Sequence, residues 1–171
     1  MSLHQLSAAL STSLRMEEVL TTAAVQLVSL FEVGHSMAIL FSAEDDEGQV
    51  AAEHPPLGLA GQSVPVKSFP MLRSIMAAMT PLAVSDARRS QLLKPLRRQI
   101  EKLGIASMLV VPMSTKGRMV GVITLDAIGE QRAFSPEEIE ICQTVAAQVA
   151  MTAENVRLIE AFQLQASTSL G

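Results

Sequence analysis

Two long apolar segments separated by four residues constrain the fold of this chain more than any other feature. They are SMLVVPM over residues 107–113 and RMVGVITLDAI over residues 118–128, and the turn STKG lies between them. Apolar runs of this length joined by a glycine-containing turn are typical of a β-hairpin. Because both runs are predominantly apolar and show no regular alternation with polar residues, they predict the central strands of an antiparallel sheet.

Long helical patterns lie towards both ends of the chain. Apolar residues recur every three or four positions over residues 3–31 and change face around residues 13–16, which predicts two helices or one kinked helix, ended by Gly34. Ser135, Pro136 and Glu138 predict the cap of a last helix of roughly 30 residues, to about residue 165. Its two apolar stripes require two partners, which we expect to be the sheet and a second helix of this chain or of another copy.

Shorter elements are predicted between these helices. Strands are expected over residues 36–41, 49–54 and 81–84, and helices over residues 71–79 and 90–103, the second of them capped by Gly104. Residues 54–70 contain four of the eight prolines, which predicts an irregular connection. Long connections inside a compact domain are commonly functional.

Composition excludes several classes of protein. The 171 residues include no Trp or Tyr and five Phe, so aliphatic side chains and ten Met must form the core. No apolar run approaches the ~18 residues that span a bilayer, and the chain does not begin with a secretory signal, so we expect a cytoplasmic protein. A single cysteine, Cys142, and three scattered histidines exclude an internal disulfide and argue against a zinc site.

The overall charge of the chain does not indicate a nucleic-acid-binding protein. The net charge is −4, although six of the thirteen basic residues lie between Arg88 and Lys102. We interpret this basic cluster as the solvated face of an amphipathic helix, with a phosphate-binding surface as the alternative. Stacking aromatic residues, which nucleic-acid sites usually add, are missing from this stretch.

The order of these elements resembles that of a GAF domain, a small-molecule sensor module of signalling proteins. Five stretches carry the resemblance over about residues 15–160: PLAVSD (81–86), LGIASMLVVP (103–112), GRMVGVITL (117–125), FSPEE (134–138) and VAAQVAMTAENVRL (145–158). The resemblance implies an α/β (α+β) fold with a central antiparallel sheet of five to six strands, helices on both sides and long terminal helices packed on one face. It also implies a domain over residues 15–160, preceded by a helix (1–14) for dimer contact and followed by a helix extension or frayed tail (161–171).

Several chemistries of that family lack their residues here. Family members that bind cyclic nucleotides resemble one another in a motif that begins with Asn-Lys. This chain has no Asn-Lys pair, because its single asparagine is Asn155. Bilin attachment uses a Cys followed by His, but Cys142 is followed by Gln143 and is expected to be buried and inert. Sulfoxide reduction needs two cysteines, and His54, the one candidate for a haem ligand, is expected to be an ordinary histidine. We therefore expect no catalysis and no cofactor.

The resemblance implies a mainly apolar ligand pocket between one sheet face and the crossover segments. Strand residues would form its floor, three apolar residues its lid and one carboxylate its rim. The residues are Ala38, Leu40, Ser107, Leu109 and Thr124 in the floor, Phe69, Leu72 and Leu96 in the lid, and Asp86 at the rim. The same residues could instead pack a closed core, because alternate apolar residues occur in any central strand.

We therefore predict a non-catalytic regulatory domain of a bacterial-type signalling protein that binds an unidentified small molecule. Neither nucleic acid nor a membrane is an expected partner, and the output domain is expected outside this chain. Homodimerisation is predicted through apolar residues of the terminal helices: Leu3, Leu6, Leu10, Val145, Val149, Val156 and Ile159. The alternatives are a ligand-free dimerisation or interaction scaffold and, more remotely, a thiol redox enzyme that uses Cys142.

Overall fold

One antiparallel sheet organises the molecule. The computed structural model describes residues 2–42 and 44–170, apart from the side chains of residues 4–14, 160, 164 and 167–170. Within these residues the sheet has six strands in the order β3-β2-β1-β6-β5-β4. The strands are β1 (His35–Phe41), β2 (Glu47–His54), β3 (Ser63–Pro65), β4 (Leu82–Val84), β5 (Ile105–Thr115) and β6 (Arg118–Ile128). The predicted antiparallel α+β fold is confirmed.

The central hairpin is β5 and β6, as the two apolar segments predict. The strands pair from Ile105 opposite Ile128 to Thr115 opposite Arg118. Lys116 and Gly117 form the turn with φ angles of 51° and 76°. Positive φ at both central residues matches the right-handed twist of the flanking strands, and Gly117 adopts it without the steric cost of a Cβ.

Helices and irregular segments cover the two faces differently. The helices are α1 (Leu3–Phe31), α2 (Pro70–Ala78), α3 (Arg97–Leu103) and α4 (Pro136–Leu170), with a 3₁₀ helix over Gln91–Leu96. On one face, which we name the helix side, α1 and α4 pack together and against the sheet. On the other, which we name the cover side, residues 55–103 pack against the sheet. Each side has its own buried apolar cluster.

The N-terminal helix is a single element, as the second of its two predicted alternatives has it, but its end differs from the prediction. It ends at Phe31, where Glu32 takes the left-handed φ of 52°. Gly34 therefore does not end it. A Cβ at Gly34 would lie 2.8 Å from the side chain of Ile128, so this glycine permits a close approach to the end of β6.

The helix predicted over residues 90–103 is divided in two. A 3₁₀ segment runs to Leu96 and α3 begins at Arg97. Pro95 lies inside the 3₁₀ segment, where its missing N–H and its ring disfavour an α-helical turn. Gly104 caps α3 with φ 71°, as predicted.

The capping box of α4 is present. The Glu138 N–H donates to Ser135 Oγ at 3.1 Å, and the Ser135 N–H donates to Glu138 Oε1 at 2.9 Å. Arg132 adds a 2.7 Å ion pair to the same carboxylate. The helix reaches Leu170 and is longer than its prediction. None of the described helices combines the length and apolar character that a bilayer-spanning segment needs.

Candidate functional site

The predicted floor residues of the pocket do not share one side of the sheet. Ala38 and Leu109 belong to the helix-side cluster, and Leu40 packs against it. The expectation that these three face the lid is wrong, because the opposite residues of β1 and β5 form the cover-side surface. Those residues include Met37, Ile39, Met108 and Val110.

The three predicted lid residues do lie together on the cover side. Phe69 and Leu72 are 0% exposed, and Leu96 packs against their cluster. Four methionines belong to this cluster and a fifth packs against it: Met37, Met71, Met108, Met119 and Met76. The chain has ten methionines in all, so half of them lie in this layer. The cover side is therefore a methionine-rich apolar layer.

The remaining predicted residues are held by polar contacts. Asp86 is half-exposed, and its carboxylate lies 4.0 Å from Arg89. Ser107 Oγ donates to the Ser85 carbonyl at 2.8 Å and accepts from the Arg132 N–H at 3.0 Å, so it joins two connections. Thr124 is buried in a network on the cover side, described next.

A buried histidine lies between two carboxylates at one end of the sheet. His35 Nδ1 is 2.6 Å from Asp126 Oδ2, and His35 Nε2 is 3.0 Å from Glu53 Oε1. The three residues come from β1, β6 and β2, and strand pairing places His35 directly opposite Asp126. Thr124 Oγ1 also donates to Asp126 Oδ2, at 3.1 Å. We name Glu53, His35 and Asp126 the triad.

Glu53 connects the triad to the irregular cover. The N–H of Leu57 donates to Oε1 at 2.8 Å, the N–H of Leu59 donates to Oε2 at 2.7 Å, and the Ala60 N–H donates to Oε2 as well. Leu59 belongs to the cover-side cluster. One carboxylate therefore holds three backbone amides of residues 57–60, which we name the cover loop.

The surroundings raise the pKa values of two members of the triad and lower that of the third. Burial alone would lower the pKa of His35, but the hydrogen bonds and charges of Asp126 and Glu53 outweigh it and raise the pKa above 6.5. Burial raises the pKa of Asp126, and its Oδ1 has no hydrogen-bond partner among the described residues. Burial opposes ionisation of Glu53 too, but the amides of the cover loop and His35 lower its pKa.

The geometry of the triad does not form a metal site. Each ring nitrogen of His35 faces a different carboxylate, so the three side chains do not converge on one point. Within the described part of the chain, no group of three or more His, Cys, Asp or Glu residues is arranged to hold a metal ion. All three side chains are at most 2% exposed, so the triad is covered in this arrangement.

Sequence reasoning missed the triad, although a signal for it exists. His35, Glu53 and Asp126 are ionisable residues that stand in or beside apolar strand patterns. Many other ionisable residues of this chain stand beside apolar patterns too, so none of the three is distinctive by itself. Asp126 is also 91 residues from His35 along the chain. Only the pairing register of β1 with β2 and β6 brings the three together.

The other residues with a predicted role are dispersed. Cys142 is buried in the helix-side cluster, and burial raises its pKa to about 11. His54 is half-buried at the end of β2. Arg88, Arg89, Lys94, Arg98 and Lys102 of the basic cluster are exposed, whereas Arg97 is half-buried and reaches the Ser90 carbonyl at 3.4 Å.

The predicted dimer residues fall into three groups. Val145 and Val149 pack into the helix-side cluster of their own chain, and Val156 is 4% exposed. Leu3 and Ile159 are exposed, at 86% and 42%. The side chains of Leu6 and Leu10 lie outside the described residues. The valine stripe of α4 is thus part of the core, because α1 of the same chain supplies the second partner that the stripe requires.

Comparison with known proteins identifies the fold and a family. The family model described as "GAF domain" matches residues 15–153. The structure is similar to the blue-light absorbing form of the PixJ GAF domain from Thermosynechococcus elongatus, with a TM-score of 0.71, 19% identity and coverage of 96% of both chains. None of the curated proteins matches the sequence.

Two further solved structures are similar over most of their length. A GAF domain/HD domain protein from Geobacter sulfurreducens has a TM-score of 0.72 at 19% identity, covering 84% of this chain and 95% of that one. A phycocyanobilin-bound GAF domain from a cyanobacterial phytochrome has a TM-score of 0.67 at 20% identity, covering 92% and 98%. At these identities the likeness concerns the fold alone.

Proposed function

Because the chain belongs to the GAF domain family, we propose that it is a non-catalytic regulatory domain that senses a small molecule on the cover side of its sheet. The observation that carries this proposal is the construction of that side. Short elements and an irregular segment cover the methionine-rich layer there, whereas two long helices cover the other face. Methionine side chains are flexible and adapt to ligands of varied shape.

The residues of this layer favour an apolar ligand without a covalent link. One similar domain is bound to phycocyanobilin, but the single cysteine of this chain is buried on the helix side, away from the proposed site. Phe69 is the one aromatic residue of the proposed lid, and the chain has no Trp or Tyr to stack on a purine. We therefore expect a ligand held by shape and apolar contact.

Native mass spectrometry of the protein as purified from its host tests the proposal. We expect an additional mass that remains with the folded protein and is lost on denaturation. Leu72→Ala should reduce its occupancy, whereas Leu27→Ala should not. Leu72 and Leu27 are both buried helix residues, on the cover side and the helix side respectively, so the pair controls for general destabilisation. Equal occupancy in the two variants would contradict a cover-side site.

The second candidate function is a scaffold without a ligand. The full burial of Phe69, Met71 and Leu72 favours it, because these side chains already pack against the sheet in one apolar cluster. A protein that carries no additional mass after purification, and that no apolar compound stabilises in a thermal-shift screen, would support the scaffold over the sensor. A ligand at about 100 times its Kd stabilises a protein by about 2.7 kcal/mol, which such a screen detects.

We also propose that the domain forms a homodimer through α4. Met151, Leu158 and Phe162 are 61%, 55% and 72% exposed. Met151 and Leu158 are seven residues apart, and Phe162 follows four residues later, so the three share one face of the helix. Asn155 and Glu154 lie beside them along a groove of about 320 Å³ between α4 and the β5–β6 turn. A second copy of α4 presents apolar residues at the same spacing, with Glu154 and Asn155 beside them, so it is the partner that we propose for this face.

Sedimentation velocity at increasing protein concentration tests the dimer. We expect a dimer that Leu158→Glu converts to a monomer, because a buried unpaired carboxylate strongly opposes association. Ile141→Glu is the matched control, since Ile141 is 46% exposed on α4 but lies roughly 15 Å before Met151 along the helix, outside the proposed patch. A wild-type protein that remains monomeric at ~100 µM would contradict the proposal.

A further inference from the structure

We propose that the triad of Glu53, His35 and Asp126 is a proton-dependent clamp, which holds the cover loop onto the cover side and releases it when the triad loses a proton. The proposal concerns a switch in the fold and does not require a ligand. Its basis is the chain of contacts from a buried carboxylate, through an imidazole and a second carboxylate, to the backbone of residues 57–60.

The donors and acceptors of the imidazole and the two carboxylates determine how many protons the closed clamp contains. An ionised carboxylate only accepts hydrogen bonds, and a neutral imidazole has one donor nitrogen and one acceptor nitrogen. Both ring nitrogens of His35 face a carboxylate oxygen within 3.0 Å. The two contacts therefore need two protons, carried either by imidazolium or by neutral imidazole and one protonated carboxyl group. Loss of either proton leaves a lone pair facing a carboxylate in a buried site.

Among the described residues, the charged groups that contact His35 are the two carboxylates of the triad. Glu53 faces the ring from β2 and Asp126 faces it from β6. The cover loop contributes LGLA, which contains no ionisable side chain, and Met108 of β5 stands opposite Asp126. Arg73, the charged residue of α2, is exposed. With both protons the triad carries one net negative charge, which the amides of the cover loop stabilise at Glu53. With the second proton gone it carries two negative charges and no cation inside an apolar layer, which is strongly unfavourable.

Opening of the cover loop lowers the energetic cost of this charge, because a carboxylate of the triad can then reach solvent. Glu53 is the triad member that contacts the loop, and the strands hold His35 and Asp126 in the sheet. When Glu53 turns towards solvent, it releases three backbone amides of the cover loop, so the loop is free to move and to withdraw Leu59 from the cover-side cluster. Deprotonation is therefore coupled to exposure of the methionine-rich layer, and protonation to its closure.

Amide hydrogen exchange of the full chain, measured by NMR across about pH 6 to pH 9, tests the clamp. Intrinsic exchange rates are divided by the measured rates to give protection factors, and the amides of β5 and β6 serve as internal references. The protection of Leu57, Leu59 and Ala60 should fall about tenfold per pH unit once the pH exceeds 6.5, and should level off above the folded-state pKa of His35. Constant protection relative to β5 and β6 would overturn the proposal.

Glu53→Gln is the decisive variant. The amide keeps the size of the side chain, a carbonyl oxygen for the cover loop and an N–H for neutral His35, but removes the charge. We expect lower protection of the cover loop and loss of its pH dependence. Glu47→Gln, at an exposed position of the same strand, should keep the wild-type dependence. An unchanged slope in Glu53→Gln would overturn the proposal.

A second measurement applies if Glu53→Gln does not fold. The ¹⁵N shifts of the His35 ring in the wild-type protein report the protonation of each nitrogen directly. We expect cover-loop protection to stop falling at the pH at which His35 loses its proton. A fall in protection that continues well above that pH, or ends well below it, would contradict a coupled clamp.

Discussion

Buried polar side chains are concentrated at one place in an otherwise aliphatic core. The buried polar or charged residues among those described are His35, Ser36, Glu53, Ser107, Thr124 and Asp126. All but Ser107 lie on β1, β2 or β6, and Ser36 Oγ donates to the Thr124 carbonyl at 2.7 Å. A one-residue slip between β1 and β6 would leave His35 and Asp126 without each other, so these groups specify the pairing register as well as the protonation of the site.

The reactivity of Cys142 is a prediction at this scale. The thiol is 1% exposed, and burial, with a smaller contribution from the Glu138 charge, raises its pKa to about 11. Because the thiolate is the reactive form, native protein should not react with iodoacetamide at about pH 8, and urea-unfolded protein should react fully. Mass spectrometry of timed samples measures both. Rapid labelling of the folded protein would instead support the alternative of a thiol redox enzyme.

The cap of α4 is the first prediction at the scale of elements. Ser135→Ala removes the acceptor of the Glu138 N–H and should lower the free energy of unfolding by about 1 kcal/mol. Thr144→Ala is the control, because that hydroxyl is exposed and donates to the Glu140 carbonyl of its own helix. Urea denaturation of both variants measures the difference, and equal losses would contradict a capping role.

The close pairing of β1 and β6 gives a second prediction for elements. A Cβ at Gly121 would overlap the backbone carbonyl oxygen of Ile39, which cannot move without breaking the strand pair. We expect Gly121→Ala to cost about 3 kcal/mol or more. In Gly48→Ala the nearest atom belongs to the Ile39 side chain, at 2.9 Å, so that loss should be smaller. Thermal unfolding ranks the two variants, and the reverse order would contradict the packing described.

The elements themselves were largely predictable, but their faces were not. Turn residues and apolar runs located β1, β2, β5, β6 and α2 within about two residues. The wrong side for Ala38 and Leu109 has a physical cause, because β1 and β5 are buried on both faces and carry no alternation to read. Bulges between Ile105 and Ser107 and between Met113 and Ser114 shift the register further. The triad depends on that register and was not predictable.

The whole molecule should be most stable in mildly acidic solution. The pKa of Glu53 is lowered in the folded state, so its contribution is present above 4.5 and lost as the pH falls through the folded value. The pKa of His35 is raised, so its contribution is complete below 6.5 and is lost as the pH rises through the folded value. The pKa of Asp126 is raised from 3.8, so its contribution is complete only below 3.8 and is lost as the pH rises from there through the folded value. Stability should therefore decline below a window between 4.5 and 6.5, and should decline more steeply above this window than within it, because the loss from His35 is then added.

Urea denaturation at a series of pH values measures this decline. Above the window the slope should approach about 1 kcal/mol per pH unit, since folding then takes up close to one proton. Asp126→Asn should flatten the alkaline side, whereas Asp86→Asn, at a half-exposed position, should not. Wild-type stability that is independent of pH above 6.5 would contradict the protonation described for His35.

Because α4 is anchored against the sheet by one part of its length, a small tilt of that part produces a larger displacement at the end of the helix. Among the described side chains of α4, Val156 is the last buried one, and the helix continues to Leu170. From Val156 to Leu170 the helix extends by 14 residues, which is roughly 21 Å at 1.5 Å per residue. A tilt of about 10° at Val156 displaces the far end by roughly 4 Å, so a shift too small to disturb core packing becomes a movement of about two thirds of a helical turn.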